Sequence, residues 1–245
     1  VGCGGIASSN LIKSCAKLPG MVEAVEDLLC KTMVLTFGRR YGPGKSLVVE
    51  GGSSVGKDTL VKRLIRETLI GWDYSFEPGG TPFGMVIREK VQGLAQYYEP
   101  NSEESLLLYT LDRSLLYSHR VIPGVMNGTN YILNRSWLSG SYQIAEGVPT
   151  WWVVLNGMRA TGWFIPNMIL YLDLDPDVAR RRMAGKTDVD RFDIKDAEFH
   201  KRVRNNYRRL FGIIGTGLVS IINALDSPQE VFNNSVREIR ERYLA

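Results

Sequence analysis

From Ser46 to the C-terminus, short apolar runs alternate with longer amphipathic ones. SLVVE (46–50), NYILN (130–134), MILYLDL (168–174) and GLVSIIN (217–223) are rich in Val, Ile and Leu. Runs of this length and composition suit parallel strands buried on both faces. Between them the spacing predicts helices over 58–70, 83–94, 102–120 and 197–211. A last helix is marked by Ser227, Pro228 and Glu230 as N-cap, N1 and N3 of a capping box. Strands alternating with helices predict an α/β fold, a doubly wound parallel sheet with ligands at the carboxyl ends of its strands.

Residues 1–45 follow another pattern. Turn-like clusters VGCGG, ASSN and YGPGK surround one amphipathic helix over 19–33, with Val22, Val25, Leu28 and Leu29 at helical spacing. No chemistry is visible there, and the segment reads as an N-terminal extension, a packing arm or linker, to a domain spanning 46–245.

Composition narrows the function classes. The formal charge of +4 over 245 residues is too small for a dedicated nucleic-acid binder. No apolar run reaches the roughly 18 residues of a membrane-spanning helix. Cys3, Cys15 and Cys30 match no zinc or redox spacing and read as free thiols of a reducing compartment. The cytoplasm is the expected location, or an organelle if a targeting peptide preceding Val1 has been removed.

The sharpest chemistry lies at 51–59, GGSSVGKDT, directly after an expected strand and before an expected helix. Gly51, Gly52, Ser53, Ser54, Val55 and Gly56 form a loop whose backbone N–H groups can cradle phosphates, with the helix dipole behind them. Lys57 adds a point charge for the β and γ phosphates. Such loops end in Lys followed by Ser or Thr, whose hydroxyl holds Mg²⁺, whereas Asp58 stands here. A carboxylate suits Mg²⁺ as a hard oxygen ligand, yet it also competes with phosphates for the same N–H groups. Thr59 lies about 100° further round the helix and does not simply replace it.

Further pieces resemble the thymidylate kinase family in order and spacing: EPGGTPFGMVIREK from Glu77, LLLYTLDRSLLYSHRVIP from Leu106, NRSWLSGSYQ from Asn134, IPNMILYLDLDPDVARRRM from Ile165, and DVDRFDIKDAEFHKRVRNNY from Asp188. The resemblance runs from Ser46 to the end. It implies a nucleoside monophosphate kinase of the P-loop type. Such an enzyme is a transferase of nucleotide biosynthesis that moves the γ-phosphoryl group of ATP, with Mg²⁺, to dTMP. Its partners would be small-molecule nucleotides and a second copy in a homodimer.

The resemblance also assigns residues. Glu77, Pro78 and Gly79 would line the acceptor site, with Arg88 reaching the acceptor phosphate. Tyr109 and Arg113, four apart on a helix, would stack on the base and bond its edge; from the helix alone the pair reads equally as a core tyrosine and a surface arginine. Arg135, Ser139, Tyr142 and Gln143 fall in the segment NRSWLSGSYQ, with Arg135 beside the phosphates. Arg182, Lys186 and Arg191 would serve a mobile lid over about 180–195, although each alone could be a solvated cation.

Departures from the family pattern gather at the phosphates. Ser53 and Asn134 replace carboxylates, Phe76 replaces an arginine, and Asp58 adds a carboxylate. Asp58 is therefore expected to take over metal-related charge, with Ser53 and Asn134 near the same Mg²⁺. Tyr142 lies one residue short of the position at which the family screens against a ribose hydroxyl, and Gln143 occupies that place. Two other readings remain open at this point: a kinase of another, 5-modified deoxypyrimidine monophosphate, and a catalytically degenerate binding subunit.

Overall fold

The computed structural model describes residues 7–92, 100–183 and 189–243, with side chains from residue 20 onward. A long helix α1 (Ala7–Phe37) leads into β1 (Ser46–Gly51) and α2 (Lys57–Glu67). Next come β2 (Asp73–Phe76), α3 (Pro82–Gln92) and α4 (Ser102–Leu116), which continues through one π turn into the short α5 (Ile122–Met126). β3 (Tyr131–Asn134), α6 (Ser141–Ala145), α7 (Thr150–Ala160), β4 (Met168–Asp173), α8 (Pro176–Met183), α9 (Ala197–Ile214), β5 (Val219–Asn223) and α10 (Pro228–Tyr243) follow.

The five strands form one parallel sheet in the order β2-β3-β1-β4-β5. β1 is central, and the order reverses beside it, which opens a crevice at the carboxyl ends of β1 and β3. Alternate residues of each strand feed opposite cores. Val48, Leu133, Ile169 and Tyr171 pack with α4, α7 and α9, whereas Leu47, Val49, Ile132 and Leu170 pack with α2, α8 and α10. Burial on both faces is why the strands read as unbroken apolar runs.

The expected helices and capping box are present. Ser227 Oγ accepts the Glu230 N–H at 3.3 Å, and Glu230 accepts the Ser227 N–H at 3.0 Å. Asn101 and Glu104 form a second box at the start of α4. β2 and α7 lie outside the expected set, as do the short α5 and α6. β2, DYSF, is an edge strand with two exposed residues, too short and polar to stand out. α7, TWWVVLNGMRA, buries Val153, Val154 and Met158. Among the described residues no helix is long and apolar enough to cross a membrane.

The N-terminal extension corrects the expectation drawn from its pattern. Its helix is 31 residues long and absorbs the ASSN cluster. Val22, Val25, Leu28 and Leu29 are 57–64% exposed, so the predicted apolar stripe points away from the body. Docking instead uses the other face: Cys30 and Val34 enter the core. Arg209 of α9 meets Glu23 at 3.0 Å, Glu26 at 2.9 Å and Asp27 at 2.6 Å. Burial, then Glu26 and Asp27, pushes the Cys30 thiol up to about 11, so it stays protonated and behaves as a small core hydrophobe. Side chains of Cys3 and Cys15 lie outside those described.

The triple ion pair makes a prediction about this contact. Arg209→Ala strands three carboxylates on one helix face and is expected to lower unfolding free energy by about 1–2 kcal/mol at low salt, and less in high salt. Urea denaturation at two ionic strengths checks it.

Candidate active site

The strand-to-helix turn after β1 places the phosphate loop at the crevice. The chain turns through positive φ at Gly51 (151°), Ser54 (55°) and Gly56 (97°), and α2 begins at Lys57. Gly56 is in the left-handed region, where any other side chain would strain the turn. Lys57 is buried, and its Nζ donates to the carbonyls of Gly51 at 3.0 Å and Gly52 at 2.5 Å. Burial, then the nearby Arg135, holds its pKa well below the usual lysine range. A phosphate in the loop would offset that penalty by supplying opposite charge.

Asp58 and Asn134 come together as expected, with Asn134 Nδ2 donating to Asp58 Oδ1 at 2.5 Å. Ser53 does not join them. Its hydroxyl lies 3.3 Å from that of Tyr142 instead. Thr59 is exposed in the first turn of α2. These groups, with Lys62, Tyr74, Arg88, Arg135, Asp190 and Asp193, line a cleft of about 1510 Å³ counted out to its open mouth.

A second cavity of about 560 Å³ adjoins it and shares Ser53, Glu77, Gln92, Arg135 and Asp190 with the cleft. Pro78, Tyr109, Arg113, Ser139, Tyr142 and Gln143 line it, so the acceptor residues expected from different segments converge. Gly79 shapes its loop with φ 110°. Arg113 Nε donates to Glu77 Oε2 at 2.6 Å, and both side chains are nearly inaccessible. The pair settles the choice left open on α4: Arg113 is inside. Burial raises the Glu77 carboxyl to about 7 against the pull of Arg113. Arg88 donates to the Pro78 carbonyl at 3.0 Å and borders the phosphate cleft.

The lid residues divide. Arg182 is exposed near the end of α8, and Lys186 lies outside the described residues. Arg191 is buried, donating to the Pro100 carbonyl at 2.7 Å and to Glu146 at 3.2 Å. It braces the wall of the second cavity, which its neighbours Asp190 and Phe192 line.

Sequence reasoning missed Asp190 and Asp193 of the cleft and two more deeply buried carboxylates. Glu50 ends the apolar run SLVVE and is fully buried, accepting from Ser136 N at 2.7 Å, Ser136 Oγ at 2.9 Å, Ser139 Oγ at 3.0 Å and Tyr207 Oη at 2.9 Å. A charge closing a strand buried on both faces was the available signal. Asp112 adjoins Arg113, and its Oδ2 accepts the Gly79 N–H at 3.2 Å.

The sequence that builds this loop and cavity has relatives among known proteins. The family model described as thymidylate kinase matches residues 49–235. The chain belongs to the thymidylate kinase family. A thymidylate kinase of Caldanaerobacter subterraneus is 34% identical over 174 residues, covering 68% of this chain and 81% of the relative. One from Colwellia psychrerythraea is 31% identical over 173 residues, with the same two shares. One from Carboxydothermus hydrogenoformans is 30% identical over 194 residues, covering 77% of this chain and 93% of the relative. The family match begins within β1, so α1 lies outside it.

The buried Glu77 gives the fold of this family member a pH signature. Folded, Glu77 keeps its proton up to about pH 7; unfolded, it releases it near 4.5. The folded state therefore binds more protons between those values, and the Glu77 contribution to stability falls as pH rises through that window, then levels off. Glu77→Gln is expected to remove this slope, as urea titrations at about pH 5 and about pH 7.5 would show.

Proposed function

We propose that this protein is a thymidylate kinase, transferring the γ-phosphoryl group of ATP to dTMP to give dTDP. The observation that carries the reading is the continuity of the two cavities. Arg113 and Tyr109 sit in the inner one, and Lys57 with its loop sits in the outer one. A base held at Arg113 would direct its 5′-phosphate toward Arg135 and the loop, where the donor phosphates bind. The relatives cited are all named thymidylate kinase, and they lend no support to another acceptor or to a non-catalytic subunit.

Each group has a physical task. The loop N–H groups and Lys57 hold the donor phosphates, and Arg135 and Arg88 neutralise charge between donor and acceptor. Arg182 and Lys186, at the lid, would add cations from above. Glu77 fixes the Arg113 guanidinium, and Tyr109 offers a ring face to the base. The acceptor is already an anionic phosphate, so positioning and charge neutralisation carry the reaction without a strong general base.

The residues present also fit Mg²⁺. Among the described residues no group of three His, Cys, Asp or Glu could hold a metal. Mg²⁺ in such enzymes takes one or two protein oxygens and fills its shell with phosphates and water. Asp58 supplies a carboxylate, and the buried Asn134 Oδ1 beside it has no hydrogen-bond partner. The metal, when bound, would neutralise charge on the transferred phosphoryl group.

The family resemblance further suggests a homodimer. α3 and α4, beside the acceptor cavity, expose Phe83, Val86, Leu107 and Leu111, an apolar surface a second copy could cover. The proposed location is the cytoplasm, where nucleotide substrates are soluble.

Purified protein with ATP, Mg²⁺ and a panel of nucleoside monophosphates tests the reading; no turnover of dTMP would sink it. Arg113→Ala should raise KM for dTMP at least about tenfold, the loss of a charge-assisted bond, with KM for ATP little changed. Equal rises in both would remove Arg113 from the acceptor site. Asp58→Ser should shift the Mg²⁺ dependence of the rate, and an unchanged Mg²⁺ titration would exclude Asp58 as a ligand.

A further inference from the structure

Helix α4 grips the acceptor loop with two neighbouring side chains. Arg113 reaches it through the Glu77 carboxylate. Asp112 reaches it through the backbone, where its Oδ2 accepts the Gly79 N–H at 3.2 Å. Neighbours on a helix diverge by about 100°, so the two grips come from different directions. Together they fix residues 77–79 against α4.

The surroundings of Asp112 are specific. The side chain is 1% exposed and borders the acceptor cavity. Its Oδ1 lies against the backbone of α3 at Gly84, where any Cβ would collide with it. That same oxygen has no hydrogen-bond partner. Burying a carboxylate with one oxygen unsatisfied is unfavourable, and a leucine, branched like aspartate though bulkier, carries no such penalty. A leucine, however, cannot accept the Gly79 N–H. Gly79 needs that hold, because its φ of 110° belongs to a conformation with several accessible alternatives for glycine.

We infer that Asp112 is a positioning residue for the acceptor nucleotide. By capturing the Gly79 peptide it holds the 77–81 loop in the shape that forms the base-binding wall, and Gly84 is the space that admits it. The inference rests on the proposed function for its kinetic consequence and on the geometry alone for its effect on Gly79.

Three variants test it: Asp112→Leu, Asp112→Asn and Gly84→Ala. Asp112→Leu is expected to raise KM for dTMP about tenfold, the worth of a bond to a charged group, with kcat and KM for ATP within about twofold. Asp112→Asn retains a carbonyl acceptor for Gly79 and should restore acceptor KM to within about threefold of the parent. Gly84→Ala should mimic Asp112→Leu, since its Cβ displaces the same side chain and releases the same bond. Amide exchange of Gly79 followed by NMR should quicken in Asp112→Leu and return in Asp112→Asn. Parental Gly79 exchange in Asp112→Leu overturns the inference, and so does an unchanged acceptor KM or an equal rise in both KM values. A parent that turns over no dTMP sinks the proposed function alone. Gly79 exchange then decides the role of Asp112, and if Asp112→Leu does not fold, Gly84→Ala supplies the same reading.

Discussion

A buried carboxylate at the end of the central strand organises this molecule. Glu50 closes β1 with no accessible surface, and a charge in that position is tolerable only if hydrogen bonds surround it. The donors come from three places: the Ser136 backbone and hydroxyl, Ser139, and Tyr207 of α9. Satisfying one acid therefore fixes the phosphate loop that follows it, the segment carrying Arg135, and helix α9. Arg135 is reached through the same network, since its Nη1 donates to Ser139 Oγ at 3.3 Å.

Charge near the phosphates is thereby layered by depth. Glu50 lies beneath, Lys57 and Arg135 form the middle, and Asp58 stands at the rim with Asn134 beside it. The acid beneath acts as a fixed partner for the two cations before any anion arrives, which lowers the energetic penalty of holding like charges close together. This arrangement also accommodates serine in the loop and asparagine at the end of β3, positions where the family pattern carries acids. The Asp58 carboxylate is exposed and hydrogen-bonded, an environment in which a negative charge is inexpensive.

The sheet and the helices were legible because burial on both faces leaves a coarse imprint: Val- and Ile-rich runs, amphipathic helices, and a capping box at Ser227. β2 was not, since an edge strand of four residues with two exposed carries no such imprint. The N-terminal helix misled for a physical reason. Periodicity reports which face is apolar, and here α1 docks by ion pairs to Arg209 and by Cys30 and Val34, while the richer apolar stripe faces outward. At the site, residues tied to a local motif, such as Lys57, were readable directly. Arg191 was not, because whether an arginine serves a ligand or a wall depends on Pro100 and Glu146, carbonyl and carboxylate partners distant in the chain.

Arg135 occupies a left-handed backbone conformation, with φ at 75°, a region that disfavours side chains by roughly 1–2 kcal/mol. It is held there by its own N–H on the Val49 carbonyl at 2.9 Å and by the next N–H on Glu50. Glycine would relax that turn, and the guanidinium would vanish with the strain. Under the catalytic role proposed for Arg135, selection for robustness and selection for turnover pull in opposite directions at one residue. Position 135 is then a point where folding and catalysis are not optimised together.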